Sequence, residues 1–171
     1  WTDGRVHYPL HVAPYTPASR FAVGTKDPRF RTKPQIAINL IEQARTAGIP
    51  FRAVVIDCFY GDNPDLEGQL TQRRIPYVLA HRGSWSQGWA PAEEAHSFEE
   101  AVQDLPRAAW QQIKRRFQDG HRESWWAAEL AFLHFGPRKA VRALCVTTDR
   151  RRLPPQSTWY LSSNLKGSSL E

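Results

Sequence analysis

The sequence holds no methionine and only two cysteines in 171 residues. Two thiols make no disulfide framework, which excludes a small secreted scaffold stapled by bridges. Cys58 and Cys145 both lie in strand-like apolar runs. They read as reduced thiols of a cytosolic protein, so a cytoplasmic location is expected. No apolar run approaches the ~20 residues that span a bilayer, and no signal-peptide pattern opens the chain, so no membrane is expected as a partner. No His/Cys pattern has zinc-ligand spacing. A Gly-rich phosphate loop and a G-x-S-x-G elbow are both missing. A start at Trp1 with no methionine anywhere makes a segment of a longer protein the expectation.

Apolar residues make up 41% of the chain, with seven tryptophans, which argues for a packed core rather than disorder. A chain of this length fits one domain and can bury roughly 70% of its unfolded surface. The net charge of +6 favours an anionic partner, nucleic acid being the commonest. The cations fall in short clusters: Arg73-Arg74, Lys114-Arg115-Arg116, Arg138-Lys139 and Arg150-Arg151-Arg152. A solvated positive face would carry the same composition.

Val6–Val12 alternates weakly and reads as a strand, and residues 13–31 as a connector. Thr32 can cap a helix with Pro34 in its first turn; Ile36, Leu40, Ile41 and Ala44 follow at helical spacing, and Gly48 stops it. Ala53 to Ile56 is a continuous apolar run, which predicts a strand buried on both faces in the middle of a sheet. Asp62 or Asn63 caps a second helix, Pro64 to about Arg74, with Leu66 and Leu70 on one face, and Ile75–Ala80 is a further short strand. The order β-α-β-α-β demands parallel pairing. Beyond His81 the pattern changes: Gly83–Gln87 reads as a loop and Ala92–Leu105 as a short helical stretch. Trp110–Phe117 and Glu123–Phe132 flank an Asp-Gly hairpin signal, and Ala140–Thr147 and Thr158–Ser162 add two strands. The second half is therefore expected to be an antiparallel sheet.

Asp57 ends the most apolar of these strands, where open α/β sheets place their chemistry. An acid there is costly to bury unless it is paired or holds a cation; the alternative is a cap on the following turn. Asp62 reads as a helix cap ahead of a ligand. Tyr60 can pack or reach phosphate, packing being the simpler role. Arg31 and Lys33 flank a helix N-terminus and can bind DNA phosphate or remain a solvated pair. In Trp125-Trp126 and Trp159-Tyr160 one residue of each pair faces the core. A tryptophan left exposed beside Arg122, such as Trp126, can stack on an unpaired base.

The segments FRTKPQIAINLIEQA, GIPFRAVVIDCFYGDNPDL, RIPYVLA and STWYLSSNL, in that order, resemble the DDE-type transposases of bacterial insertion sequences. FRTKPQIA and DCFYGD are the most specific parts, and the resemblance covers nearly the whole chain. It implies a partial RNase H-like α/β core over residues 1–82, an antiparallel β-rich insertion over 83–165, and a linker over 166–171. It also implies cleavage and joining of double-stranded DNA by a homodimer, with Mg²⁺ or Mn²⁺ held by three acids. The second acid, from the D-x-x-Y-G segment, is Asp57. The first lies upstream of Trp1 and the third beyond Glu171, so an internal fragment, inactive alone, is the expectation. Without the resemblance, the same residues describe a basic α/β module that binds nucleic acid without chemistry. An unrelated phosphatase-like enzyme would need further acids at strand ends, and only Asp149 follows a predicted strand.

Overall fold

A computed structural model describes residues 1–84, 97–117, 119–130 and 141–166. The chain forms two compact units, residues 1–52 and 53–171.

In the first unit, two single turns of 3-10 helix at Ala18–Arg20 and Gly24–Lys26 precede α1 (Lys33–Thr46). The start of α1 follows from its sequence. Thr32 accepts from the Gln35 backbone N–H, the Gln35 side chain accepts from the Thr32 N–H, and Pro34 fills a position whose N–H has no helical partner. The helix stops where Gly48 takes φ +73°. Ile38 and Ala44 are its buried residues. The strand expected over Val6–Val12 does not form: a single bridge, Thr2 to His7, is the pairing there, and Val6, Tyr8, Leu10 and Val12 are exposed.

The second unit is built on one six-stranded sheet in the order β1-β2-β6-β5-β4-β3. The strands are β1 (Val54–Ile56), β2 (Tyr77–His81), β3 (Trp110–Arg116), β4 (Arg122–Glu129), β5 (Arg142–Thr147) and β6 (Thr158–Ser163). β1 and β2 are parallel and the other neighbours antiparallel, as the sequence predicts. The turn α2 (Cys58–Gly61) and helix α3 (Pro64–Gln72) make the crossover, and α4 (Phe98–Gln103) follows β2. The expected change of character at residue 82 falls between β2 and α4, yet the sheet runs on through the β2–β6 pairing. Residues 85–96 and 131–140, which hold parts of the expected loop, helix and fourth strand, lie outside the described residues.

The core gathers on one face of this sheet. Leu66 and Leu70 of α3, Phe98, Ala101 and Val102 of α4, and Trp110, Ala128, Cys145 and Tyr160 of the strands are buried. Burial pushes the Cys145 thiol up to about 12. Two expectations are corrected. β1 is an edge strand and not a central one, with Val55 80% exposed, because a run of branched apolar residues does not reveal whether both edges are paired. Cys58 opens α2 and is exposed, since the strand ends before it. Among the described residues no helix is long and apolar enough to cross a membrane.

Candidate active site at the end of the first strand

Asp57 stands where β1 ends, and its exposed side chain caps α2 by accepting from the Tyr60 N–H at a long 3.4 Å. Asp57 is thus a cap, and its carboxylate keeps most of its acceptor capacity open to solvent. Gly61 is what lets α2 sit there. A Cβ on Gly61 would stand 2.0 Å from the Ala80 carbonyl oxygen, so the turn lies directly on the backbone of β2. Tyr60 is half-buried and meets Phe59 edge-on, 5.0 Å between ring centroids, which is a packing role.

Asp62 does not cap α3. Asn63 caps α3 by accepting from Leu66 N–H, which frees Asp62 for another use. The Asp62 side chain, 7% exposed, accepts from Arg82 Nε at 2.5 Å, from the Arg82 backbone N–H at 3.3 Å and from His81 Nδ1 at 3.3 Å. The far nitrogen of His81 meets Ser162 Oγ on β6 at 2.7 Å. Burial lowers the His81 pKa to about 4, so the ring is neutral near pH 7. A carboxylate only accepts, so Nδ1 carries the proton and Nε2 accepts from the Ser162 hydroxyl. Asp62 in turn holds Arg82 more firmly charged, while the guanidinium stays 70% exposed.

One end of the parallel pair β1–β2 therefore presents an open carboxylate, Asp57, and a cation, Arg82, held by the buried Asp62, which His81 in turn braces. Arg82, His81 and Ser162 are not among the site residues expected from sequence. The signal present was the polar pair His81-Arg82 at the end of a buried strand whose parallel register runs Ile56 to Leu79. As to a divalent metal, Asp57 offers the hard oxygen such an ion prefers. Among the described residues no three His, Cys, Asp or Glu side chains gather into a ligand set, so Asp57 fits as one ligand and not as a site.

The other expected site residues are dispersed. Arg31 Nη1 donates to the carbonyls of Pro28 and Phe30, both at 2.7 Å, and Lys33 Nζ lies 5.4 Å from the Tyr15 ring, both within the first unit. Arg122 and Trp126 share β4 in the second. Trp125 is buried and Trp126 half-buried, as Tyr160 is buried and Trp159 is 47% exposed, so alternation sorts both pairs. Trp126 is already covered: the Arg150 guanidinium lies 4.5 Å from its ring centroid.

The parallel β-α-β unit carrying an exposed acid, joined to antiparallel strands, has the arrangement of a partial RNase H-like nuclease fold. A family model described as DDE superfamily endonuclease matches residues 1–124, and the chain belongs to that family. Among curated proteins it is similar to the probable transposase for insertion sequence element IS701 of Microchaete diplosiphon, 30% identical over 162 residues. That match covers 91% of this chain, and the chain spans 37% of that relative's length. The resemblance carried by FRTKPQIA and DCFYGD is thereby borne out.

Proposed function

We propose that this chain is part of a transposase catalytic core that cuts and joins DNA, and that Asp57 is one of the acids holding its divalent metal ion. The observation that carries the reading is the Asp57 carboxylate, exposed at the end of β1 within the region matched by the nuclease family. When bound, Mg²⁺ or Mn²⁺ would supply charge neutralisation at the attacking and leaving oxygens of a phosphodiester. The chain's own contribution is positional. Asp57 offers an oxygen ligand at the strand end, and Arg82, which follows the neighbouring strand β2, offers a positive charge suited to a phosphate oxygen. Asp62, braced by His81, anchors Arg82 through Nε, so that less freedom is lost when the guanidinium engages. In this reading residues 1–82 belong to the core and 83–165 to the insertion, with 166–171 a linker. Duplex DNA is the substrate, and a homodimer is the acting form.

Mn²⁺ is a direct probe, because its unpaired electrons broaden the NMR signals of nearby residues. Added to the 171-residue chain, it should broaden amides around residues 57–62 and 80–82, and Asp57→Asn should abolish that broadening. Equal broadening in the variant would rule out Asp57 as a ligand. Duplex binding measured in parallel should be little changed by Asp57→Asn; equal loss of both would favour a DNA-binding module without metal chemistry.

A further inference from the structure

The hairpin of β3 and β4 has two unlike faces. On one, Arg115 lies 4.8 Å from the Phe117 ring and 4.7 Å from the Trp125 ring. His121 stacks on Phe117 at 4.3 Å, nearly parallel, and Glu123 accepts from Trp125 Nε1 at 2.8 Å. That face is satisfied from within.

The other face starts in the core with the pair Trp110 and Ala128 and runs outward through Gln112 and Trp126, Lys114 and Ser124, to Arg116 and Arg122. Lys114, Arg116 and Arg122 are exposed, and none is ion-paired among the described residues. Arg116 and Arg122 stand directly opposite one another. Like charges in that position destabilise a sheet by a few tenths of a kcal/mol to about 1 kcal/mol. Arg150, over Trp126, extends the same stripe. A cross-strand arginine pair with no ion-paired carboxylate among the described residues is a local cost that a polyanion would turn into a gain.

We infer that this face, Lys114, Arg116, Arg122 and Arg150, is a docking surface for the phosphate backbone of duplex DNA. It deepens the reading of DNA as the substrate and rests on it. The charge of the stripe is uniform, as backbone binding requires, and a two-stranded ribbon has the width to enter a major groove.

The test measures binding of a labelled mixed-sequence duplex to the whole chain by fluorescence anisotropy across a salt series. EDTA is present throughout, so that a metal role of Asp57 does not enter. The variant Lys114→Gln/Arg116→Gln/Arg122→Gln should weaken binding by about tenfold or more and reduce the log-log salt slope by roughly three. A control with the same loss of charge, Arg20→Gln/Lys26→Gln/Arg107→Gln, should change the slope far less. Separately, Arg122→Glu should raise the unfolding temperature, since it places an acid opposite Arg116, while weakening DNA binding further. Opposite signs in those two measurements support the docking surface, because a merely structural role would move both together. The assignment is overturned if the control loses as much affinity as the hairpin variant, if Arg122→Glu leaves binding intact, or if single strands or RNA duplex bind more tightly than duplex DNA.

Discussion

His81 shows how much one side chain at this site is asked to do. It joins β6 to the α2–α3 junction through Ser162 and Asp62, and it stays neutral while buried. Its ordinary pKa of 6.5 falls to about 4 in the folded chain, first through desolvation, with Asp62 opposing. Between those two values the unfolded chain binds a proton that the folded one refuses. Stability is therefore full above about pH 6.5 and declines as pH falls toward 4, by at most about 3 kcal/mol. Glu67 works the other way. Burial raises its pKa while it accepts from Tyr77 Oη at 2.9 Å, so it favours the fold as pH falls toward its unfolded pKa of 4.5. The two are separated by substitution. Urea midpoints of the native chain and of His81→Gln, recorded from pH 7 to 4, should differ in slope, the variant losing the decline that His81 causes. Parallel curves would show that the imidazole is not the titrating group.

Among elements, three of the four segments that carried the family resemblance turn out to hold residues that perform specific local tasks. FRTKPQIA is a capping box with proline in the first helical turn. DCFYGD is a capped turn whose glycine rests on β2, followed by the acid that anchors Arg82. In STWYLSSNL the serines and asparagine fasten β6 to β2. Ser163 Oγ donates to the Tyr77 carbonyl at 2.8 Å, while Asn164 accepts from Tyr77 N–H at 2.8 Å and donates to the Ile75 carbonyl at 3.0 Å, extending the ladder beyond the last strand residue. The contact of α2 with β2 is the least forgiving of these. Gly61→Ala should destabilise by about 3 kcal/mol or more, read as a lowered denaturation midpoint, because the intruded atom is backbone and cannot swing aside. A loss under about 0.5 kcal/mol, within the usual range for surface sites, would mean that the turn lifts off the strand easily. Helices α1 and α3, the Asp119-Gly120 hairpin and the change from parallel to antiparallel pairing were legible because capping, turn chemistry and period are local. The exposure of β1 and the absence of a strand at Val6–Val12 were not, since both depend on which neighbour pairs with the segment. The Asp62–Arg82 pair was hidden for the same reason: 20 residues separate its members, and nothing local links them.

For the whole molecule, the sheet decides what can act independently. β6 pairs with β2 on one side and β5 on the other, so the antiparallel strands are a continuation of the β-α-β unit rather than a detachable appendage. Asp57 and Arg82 thus sit at one end of the sheet and the basic hairpin face at the other, with four strands between β1 and β3 in the ladder order. Under the proposed function, such a layout would hold a long substrate by its backbone at one place and present it for chemistry at another. The chemistry itself needs two ions clamped by several carboxylates, and the described residues gather no set of three. The 171-residue chain, given supercoiled plasmid with Mg²⁺ or Mn²⁺, should therefore bind the DNA in a salt-dependent way without nicking it. Agarose gels read both outcomes, as a shifted band and as the absence of relaxed circles. If relaxed circles form and Asp57→Ala prevents them, the chain holds a complete ligand set, and Asp57 is not one contributor among acids supplied from elsewhere.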